Sequence, residues 1–94
     1  MNVLVEGHTD NVPVKGTTVS GAKDNWDLSV MRATEITRLL TSAGMDPAQV
    51  TPSGRAEFLP MVANDTPQNK AMNRRTDIIL TPKLDELFSI LNQN

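Results

Sequence analysis

The sequence predicts an α/β (α+β) fold with two layers, in which helices pack on one mixed β-sheet. Short β-rich runs alternate along the chain with segments of helical period, a pattern typical of this architecture. The runs at 2–6, 49–54 and 75–80 are the predicted strands. A chain of 94 residues can bury one modest core, so we expect a single domain spanning residues 1–94.

The main predicted helix covers residues 27–43, where apolar side chains recur every three or four positions. Gly44 follows it and suits the left-handed residue that commonly ends a helix. Pro47 and Pro67, each preceded by a capping residue, predict a single turn and a short helix to residue 72. Residues 82–91 carry an apolar stripe that predicts a C-terminal amphipathic helix. The side chains of the main helix that should share its apolar face are Leu28, Met31, Ile36, Leu39, Leu40 and Ala43.

The composition excludes several classes of function. Acidic residues outnumber basic ones by 11 to 9, and the basic residues are scattered, so a broad interface with nucleic acid is not expected. No run approaches the ~20 apolar residues of a membrane helix, and no signal peptide is visible. The absence of cysteine excludes disulfides and thiolate metal sites.

Two charged residues occupy positions where the local pattern favours other residue types. Asp10 closely follows the first predicted strand, and Arg32 lies among the apolar positions of the main helix. Neither has an evident permanent partner in the sequence, and an unpaired buried charge is unfavourable. Two simpler interpretations stay open. Arg32 can lay its stem on the core with its head in water, and Asp10 can accept nearby amides in an Asx-turn.

Signals for catalysis are weak. His8 and Asp10 could ligate a metal, but this is the only histidine and no further ligand spacing follows. Ser29 and His8 could meet in space, although nothing resembles a nucleophile elbow. Asp10 and Asp24 could form a hydrolytic pair, although two acids in one loop are common by chance. We therefore expect no enzymatic activity, no metal and no cofactor.

Three spaced blocks resemble the motifs of the OmpA-like C-terminal domain, the peptidoglycan-binding module of outer-membrane, Pal-type and MotB-type proteins. The Asn-Trp-x-Leu-Ser form of the second block and the long loop that contains residues 11–14 look like the MotB-type branch. Taken in order, the blocks are a specific signal, and the resemblance covers residues 3–80. The blocks are Gly7-His8-Thr9-Asp10, then Asn25-Trp26-Asp27-Leu28-Ser29 with Arg32-Ala33, and then Asn73-Arg74-Arg75.

The resemblance implies a site for diaminopimelate of the peptidoglycan stem peptide. Asp10 and Arg32 stand where the family has the aspartate and arginine that hold this ligand. The free end of diaminopimelate carries an ammonium and a carboxylate, which one acid and one guanidinium fork can recognise together. The further residues that the resemblance assigns to the site or its walls are Asn25, Arg74, Thr9 and Leu28.

The resemblance also implies a setting for the protein. We expect non-covalent anchoring of a parent protein to peptidoglycan in the periplasm or cell envelope of a Gram-negative bacterium. The parent would be anchored in the outer or inner membrane through segments outside this chain, and a homodimer is possible. Two alternatives stay open: a module of the same fold that docks a protein partner, and a peptidoglycan-modifying hydrolase.

The chain departs from the family pattern at two places. Gly54-Arg55-Ala56-Glu57 stands where members often have Gly-x-Gly-Glu, so that turn is expected to differ in shape. The chain also begins at what would be the second strand of the family fold. The C-terminal helix is one candidate to cover part of the surface that this would expose.

Overall fold

The computed structural model describes residues 1–15, 21–82 and 91–92, and within them a mixed sheet with helices. In this described part of the chain the sheet contains three strands, and two α-helices and one 3-10 turn connect them. In chain order the elements are β1 (Asn2–His8), α1 (Asn25–Ser42), a 3-10 turn (Pro47–Gln49), β2 (Val50–Gly54), α2 (Pro67–Asn73) and β3 (Arg75–Thr81).

Strand β1 lies at the centre of the sheet, whose order is β2-β1-β3. It pairs with β2 in parallel and with β3 antiparallel, so that Val5 lies opposite Pro52 on one side and Ile78 on the other. A parallel pair needs a long crossover, which α1 provides between β1 and β2. The predicted α+β architecture with one mixed sheet is confirmed.

Helix α1 approaches the sheet closely because two glycines face it. A Cβ on Gly7 would collide with the backbone of Ser29, and one on Gly54 would collide with the Ser29 side chain and with Val30. The side chains of Ser29 and Ala33 on the facing side of the helix are fully buried. We call this contact between Gly7, Gly54 and Ser29 the glycine seam. The small apolar core continues from it and comprises Val3, Val5 and Ala33, with Ile36, Leu40, Met45 and Val50 packed against it.

The predicted apolar face of α1 was therefore partly wrong. Ile36 and Leu40 do pack on the core, but Leu39 is 66% exposed. The face that meets the sheet contains the small residues that the seam requires. It is rotated about the helix axis by roughly 70° from the predicted apolar face. For the same reason Arg32 lies beside the buried face, exposed to solvent, and not within it.

The boundaries of the elements differ from the predicted ones by one or two residues. Strand β1 continues to His8, and α1 begins at Asn25 because Asp24 caps it by accepting the Asp27 amide at 2.9 Å. The left-handed helix end at Gly44 is confirmed, with φ of 114°. Two backbone hydrogen bonds complete this end, from the Gly44 amide to Thr41 and from the Met45 amide to Leu40.

Most of the predicted C-terminal helix at 82–91 lies outside the described residues. Of the helices that the structure does describe, none combines the length and apolar character that crossing a membrane requires.

Candidate ligand-binding site

A cavity of about 380 Å³ lies where the end of β1, the first turns of α1 and the end of α2 meet. All six residues that the resemblance assigned to a site line it, together with the chain segment 12–15. The six are Thr9, Asp10, Asn25, Leu28, Arg32 and Arg74. Residues separated by 64 positions in sequence are thus brought to one cavity.

Asp10 is held firmly and is only slightly exposed, with 10% of its side chain accessible. Its Oδ2 accepts a hydrogen bond from Arg74 Nη1 at 2.6 Å, and its Oδ1 accepts the Val12 amide at 3.0 Å. The expectation that Asp10 lacks a permanent partner was wrong, and the Asx-turn interpretation was right. A carboxylate offers about four lone-pair sites, so these two bonds leave acceptor capacity toward the cavity.

Arg32 is the unsatisfied charge of the site. It lines the same cavity as Asp10, is exposed, and has no hydrogen bond or ion pair within residues 1–15, 21–82 and 91–92. Its place on α1, beside the buried face, lets the stem lie along the protein while the guanidinium reaches the cavity. The site therefore combines an oriented carboxylate with an uncommitted guanidinium.

Asn25 and Thr9 hold the chain segment after β1 that lines the cavity. Asn25 is buried at the start of α1, and its amide donates to the carbonyls of Asp10 at 3.4 Å and Val12 at 3.2 Å. The buried Thr9 hydroxyl also donates to the Asp10 carbonyl, at 2.8 Å. These bonds fasten the loop after β1 to α1, and half-buried Leu28 completes the apolar part of the wall.

Asn73 positions Arg74, although the sequence assigned it no separate role. Asn73 is fully buried, and its Oδ1 accepts the amides of Met61 at 2.8 Å and Val62 at 3.1 Å. Its Nδ2 donates to the Val62 carbonyl and to Asn64 Oδ1, both at 2.8 Å. The end of α2 is thereby fixed to the loop before it, which sets where Arg74 enters the site. The only signal for this in the sequence was its place directly before the two arginines.

Ala56 adopts the backbone conformation that glycine favours, with φ of 52°. Its amide donates to Ser29 Oγ at 3.1 Å, and its carbonyl accepts the Thr9 amide at 2.9 Å. The turn that departs from the family pattern in sequence therefore joins the glycine seam to the residue preceding Asp10. A left-handed alanine is strained relative to glycine, and these two bonds help to hold it.

A second polar cluster, which the sequence did not predict, lies on the opposite face of the sheet. His8 is 2% exposed, and its Nε2 lies 2.9 Å from Glu6 Oε1 and 3.3 Å from Asp77 Oδ2. Both contacts suit the tautomer in which Nε2 is the donor, because an ionised carboxylate only accepts. Arg55 lies 3.3 Å from Glu6, and Arg75 lies 3.2 Å from Asp77. We call these five residues the closed cluster.

The closed cluster is the one group of metal-ligating side chains that the described residues bring together. Glu6, His8 and Asp77 offer ligand atoms within 4.8 Å of one another. Both carboxylates already face a guanidinium, however, and two arginines beside the site oppose a cation. The arrangement fits a structural network better than a metal centre.

The residues considered for catalysis have structural roles. Ser29 Oγ donates to the Trp26 carbonyl at 2.9 Å and accepts the Ala56 amide, while Asp24 caps α1. Ser29 faces Gly7, and because side chains alternate along a strand, His8 points to the other face of the sheet. His8 is therefore not placed to activate Ser29.

Comparison with known proteins agrees with this architecture. The OmpA family model matches residues 1–74. Motility protein B of Bacillus subtilis (strain 168) is 35% identical over 83 residues, which are 87% of this chain and 31% of that protein. The chain thus spans about a third of the length of this relative. It is 29% identical to Motility protein B of Helicobacter pylori (strain J99) and spans 34% of that protein.

Solved structures show the same fold. The C-terminal domain of Helicobacter pylori MotB superposes with a TM-score of 0.78 at 26% identity, over 96% of this chain and 64% of that one. The cell wall anchor of the T6SS from Pseudomonas aeruginosa gives 0.73 at 38% identity, over 82% of this chain and 52% of that one. The chain belongs to the OmpA family and forms an OmpA-like domain of the MotB type.

Proposed function

We propose that this domain binds peptidoglycan non-covalently, through the diaminopimelate of the stem peptide, and so anchors a parent protein to the cell wall. The observation that carries the proposal is that one cavity brings together two groups of opposite charge. An oriented carboxylate, Asp10, and an uncommitted guanidinium, Arg32, line the same space. No chemical step is needed for this role, so the domain acts as a binding module and not as an enzyme.

The chemistry of the ligand matches these two groups. The free end of diaminopimelate carries an ammonium, which would take the remaining acceptor sites of Asp10, and a carboxylate, which would bridge the fork of Arg32. Arg74 holds the Asp10 carboxylate in one orientation before the ligand arrives. Binding would then require little rearrangement of the protein, which favours affinity.

The relatives support the broader part of the proposal. One of the similar structures is described as a cell wall anchor, and it shares 38% identity with this chain. Because the chain corresponds to about a third of the MotB relatives, the anchored machine and its membrane segment would belong to the rest of a parent protein. On this proposal the domain works in the periplasm or cell envelope.

The test is co-sedimentation of the purified domain with sacculi of the diaminopimelate type. Asp10→Ala and Arg32→Ala should each abolish binding, because the opposite charge of the ligand would be desolvated without compensation. The expected loss is roughly 2–5 kcal/mol, enough to turn micromolar affinity into no detectable binding. Arg32→Lys should bind sacculi little better than Arg32→Ala, since an ammonium cannot reproduce the bidentate fork of a guanidinium.

Arg38→Ala is the matched control, because Arg38 is an exposed arginine of the same helix that does not line the cavity. It should bind sacculi like the wild type. Full sacculus binding by an Asp10→Ala, Arg32→Ala double variant would show that the cavity is not the binding site.

A protein-docking module remains the second candidate, and one observation favours it. The rings of Trp26 and Phe58 contact one another with centroids 5.1 Å apart and planes tilted by 33°, yet both side chains are more than half exposed. Exposed aromatic pairs are frequent in protein interfaces. If docking were the function, Trp26→Ala with Phe58→Ala would abolish association with the partner while sacculus binding by the wild type would be absent.

A further inference from the structure

A second cavity adjoins the candidate site and extends it along β3. It has a volume of about 360 Å³ and is lined by Arg32, Arg74, Arg75 and Thr76, the first two of which also line the first cavity. Thr76 pairs with Gly7 across the sheet, so its side chain is on the α1 face, toward Arg32. The two cavities therefore form one continuous surface with two arginines at the junction.

The charges around this surface do not balance. Arg75 is paired with Asp77 and contributes no excess. Of the remaining described residues that line the two cavities, Lys15, Arg32 and Arg74 are cationic and Asp10 alone is anionic. A zwitterionic ligand end, with one ammonium and one carboxylate, would leave the excess positive charge in place. The complementary ligand carries at least one further anionic group.

The arginines at the junction have donors to spare. Arg74 uses Nη1 for Asp10, and 43% of its side chain remains accessible. Arg32 has no partner in the part of the chain that the structure describes, and each guanidinium carries five N–H donors. Thr76 adds a hydroxyl at the far wall. A second carboxylate here would accept charge-assisted hydrogen bonds without displacing the Asp10–Arg74 pair.

We propose that the second cavity is an anion subsite, which takes another carboxylate of the same stem peptide in addition to the carboxylate at the free end of the diaminopimelate. The inference rests on the proposed function and names which further part of the ligand the domain reads. Two carboxylates have the required chemistry: the α-carboxylate of the preceding D-glutamate and the carboxylate that ends the peptide, which in the tripeptide is the second carboxylate of the diaminopimelate itself. Arg74 is then a specificity residue as well as the partner of Asp10.

The test is calorimetric titration of the domain at fixed ionic strength with four probes. The probes are free meso-diaminopimelate, the tripeptide L-Ala-γ-D-Glu-meso-diaminopimelate, and the same tripeptide amidated either at the D-glutamate α-carboxyl or at its C-terminal carboxyl. We expect the tripeptide to bind more tightly than free diaminopimelate. One of the two amidations should lower the affinity roughly tenfold, which is the lower end of the range for a charge-assisted hydrogen bond. The amidation that has this effect identifies which carboxylate occupies the subsite.

Two variants locate the effect. Arg74→Gln should bring the affinity ratio of the acid and amide peptides close to one, and Thr76→Val should reduce it. Arg38→Gln, at an exposed arginine of α1 that lines neither cavity, should leave the ratio unchanged. The affinity ratio is the readout because Arg74→Gln also removes the partner of Asp10 and should weaken the binding of every ligand.

The outcomes separate the two proposals. Equal affinity of wild type for the acid and both amides, with diaminopimelate still bound, would overturn the anion subsite alone. If neither diaminopimelate nor any peptide binds, the proposed function itself fails. The comparison of probes on the wild type decides both points even if a variant does not fold.

Discussion

The two polar clusters of this domain use the same residue types to different ends. The closed cluster on one face of the sheet joins Glu6, His8 and Asp77 to two arginines, and its carboxylates all have partners. The site on the other face joins Asp10 to Arg74 and leaves Arg32 unpaired among the described residues. We call these three residues the open site. The clusters lie only a few positions apart along β1 and β3, so sequence proximity does not distinguish them.

What distinguishes them is whether the charges are satisfied within the protein. In the closed cluster both carboxylates face a guanidinium, although His8 Nδ1 and Arg75 Nη1 are buried without a hydrogen-bond partner among the described residues. Charges that are paired within the protein stabilise the fold and have no need of a ligand. An incomplete network at an accessible cavity is instead complementary to something outside the protein. The closed cluster should therefore matter for stability, and the open site for binding.

The largest effect should come from the glycine seam, which supports the open site through α1. Gly7→Ala places a methyl group inside the backbone of Ser29, so the helix must move. We expect a loss of about 3 kcal/mol in the free energy of unfolding, at the upper end for overpacking. Denaturant titration measures it, and sacculus binding should fall as well because α1 carries Arg32.

Thr51→Ala, at an exposed position of β2, is the control and should change stability by less than about 1 kcal/mol. A folded Gly7→Ala protein with wild-type stability would mean that α1 does not lie this close to the sheet.

The next effect should come from the closed cluster. Glu6→Ala removes the acceptor of buried His8, and we expect a loss of about 2 kcal/mol in unfolding free energy. Binding to sacculi should be retained below the new melting temperature. Arg55→Ala tests the outer edge of the same cluster and should have little effect, because Arg55 is 55% exposed. Loss of binding in folded Glu6→Ala would contradict the division between the two clusters.

A smaller effect is expected at the turn that joins the seam to the open site. Ala56→Gly relieves the left-handed strain but removes a buried methyl group, and the two contributions are each about 1 kcal/mol. We expect stability to change by less than about 1 kcal/mol, measured by thermal unfolding. Ala56→Val should be far more harmful, since a β-branched residue resists positive φ. Equal stability of the glycine and valine variants would rule out the left-handed turn.

The smallest effect on stability should come from Arg32, whose guanidinium is proposed to hold the ligand. Arg32 is exposed and unpaired within the described chain, so Arg32→Ala should change the unfolding free energy by less than about 0.5 kcal/mol. Chemical denaturation of the variant used for sacculus binding measures this. A large loss of stability would mean that Arg32 has a structural partner, and the contrast between the clusters would weaken.

Local signals in the sequence predicted most of the fold. Thr66 and Asp46 cap helical turns, as the proline after each of them indicated, and Gly44 ends α1. These features were predictable because they depend only on neighbouring residues. The exposed position of Leu39 was not predictable in this way. Periodicity marks the largest apolar side chains, whereas the face that meets the sheet was selected by the space that Gly7 leaves.

The site shows the same division between local and distant information. The motif blocks identified the residues that line the cavity, but they did not reveal that Arg74 binds Asp10 across 64 positions. The closed cluster was missed because Glu6 and Asp77 look like ordinary solvated charges in their own segments. They meet only because β1 and β3 pair in a register that sets Glu6 opposite Asp77.

The central position of β1 has a mechanical consequence for an anchor. The cavity lies just beyond the C-terminal end of β1, so tension between Asn2 and a ligand held at Asp10 would act along this strand. The strand is hydrogen-bonded on both sides, to β2 over residues 3–7 and to β3 over residues 2–8. Force along a strand shears all of these bonds together, whereas force across it would open them one by one. Tension in this direction is therefore the loading that the pairing of β1 is best arranged to resist.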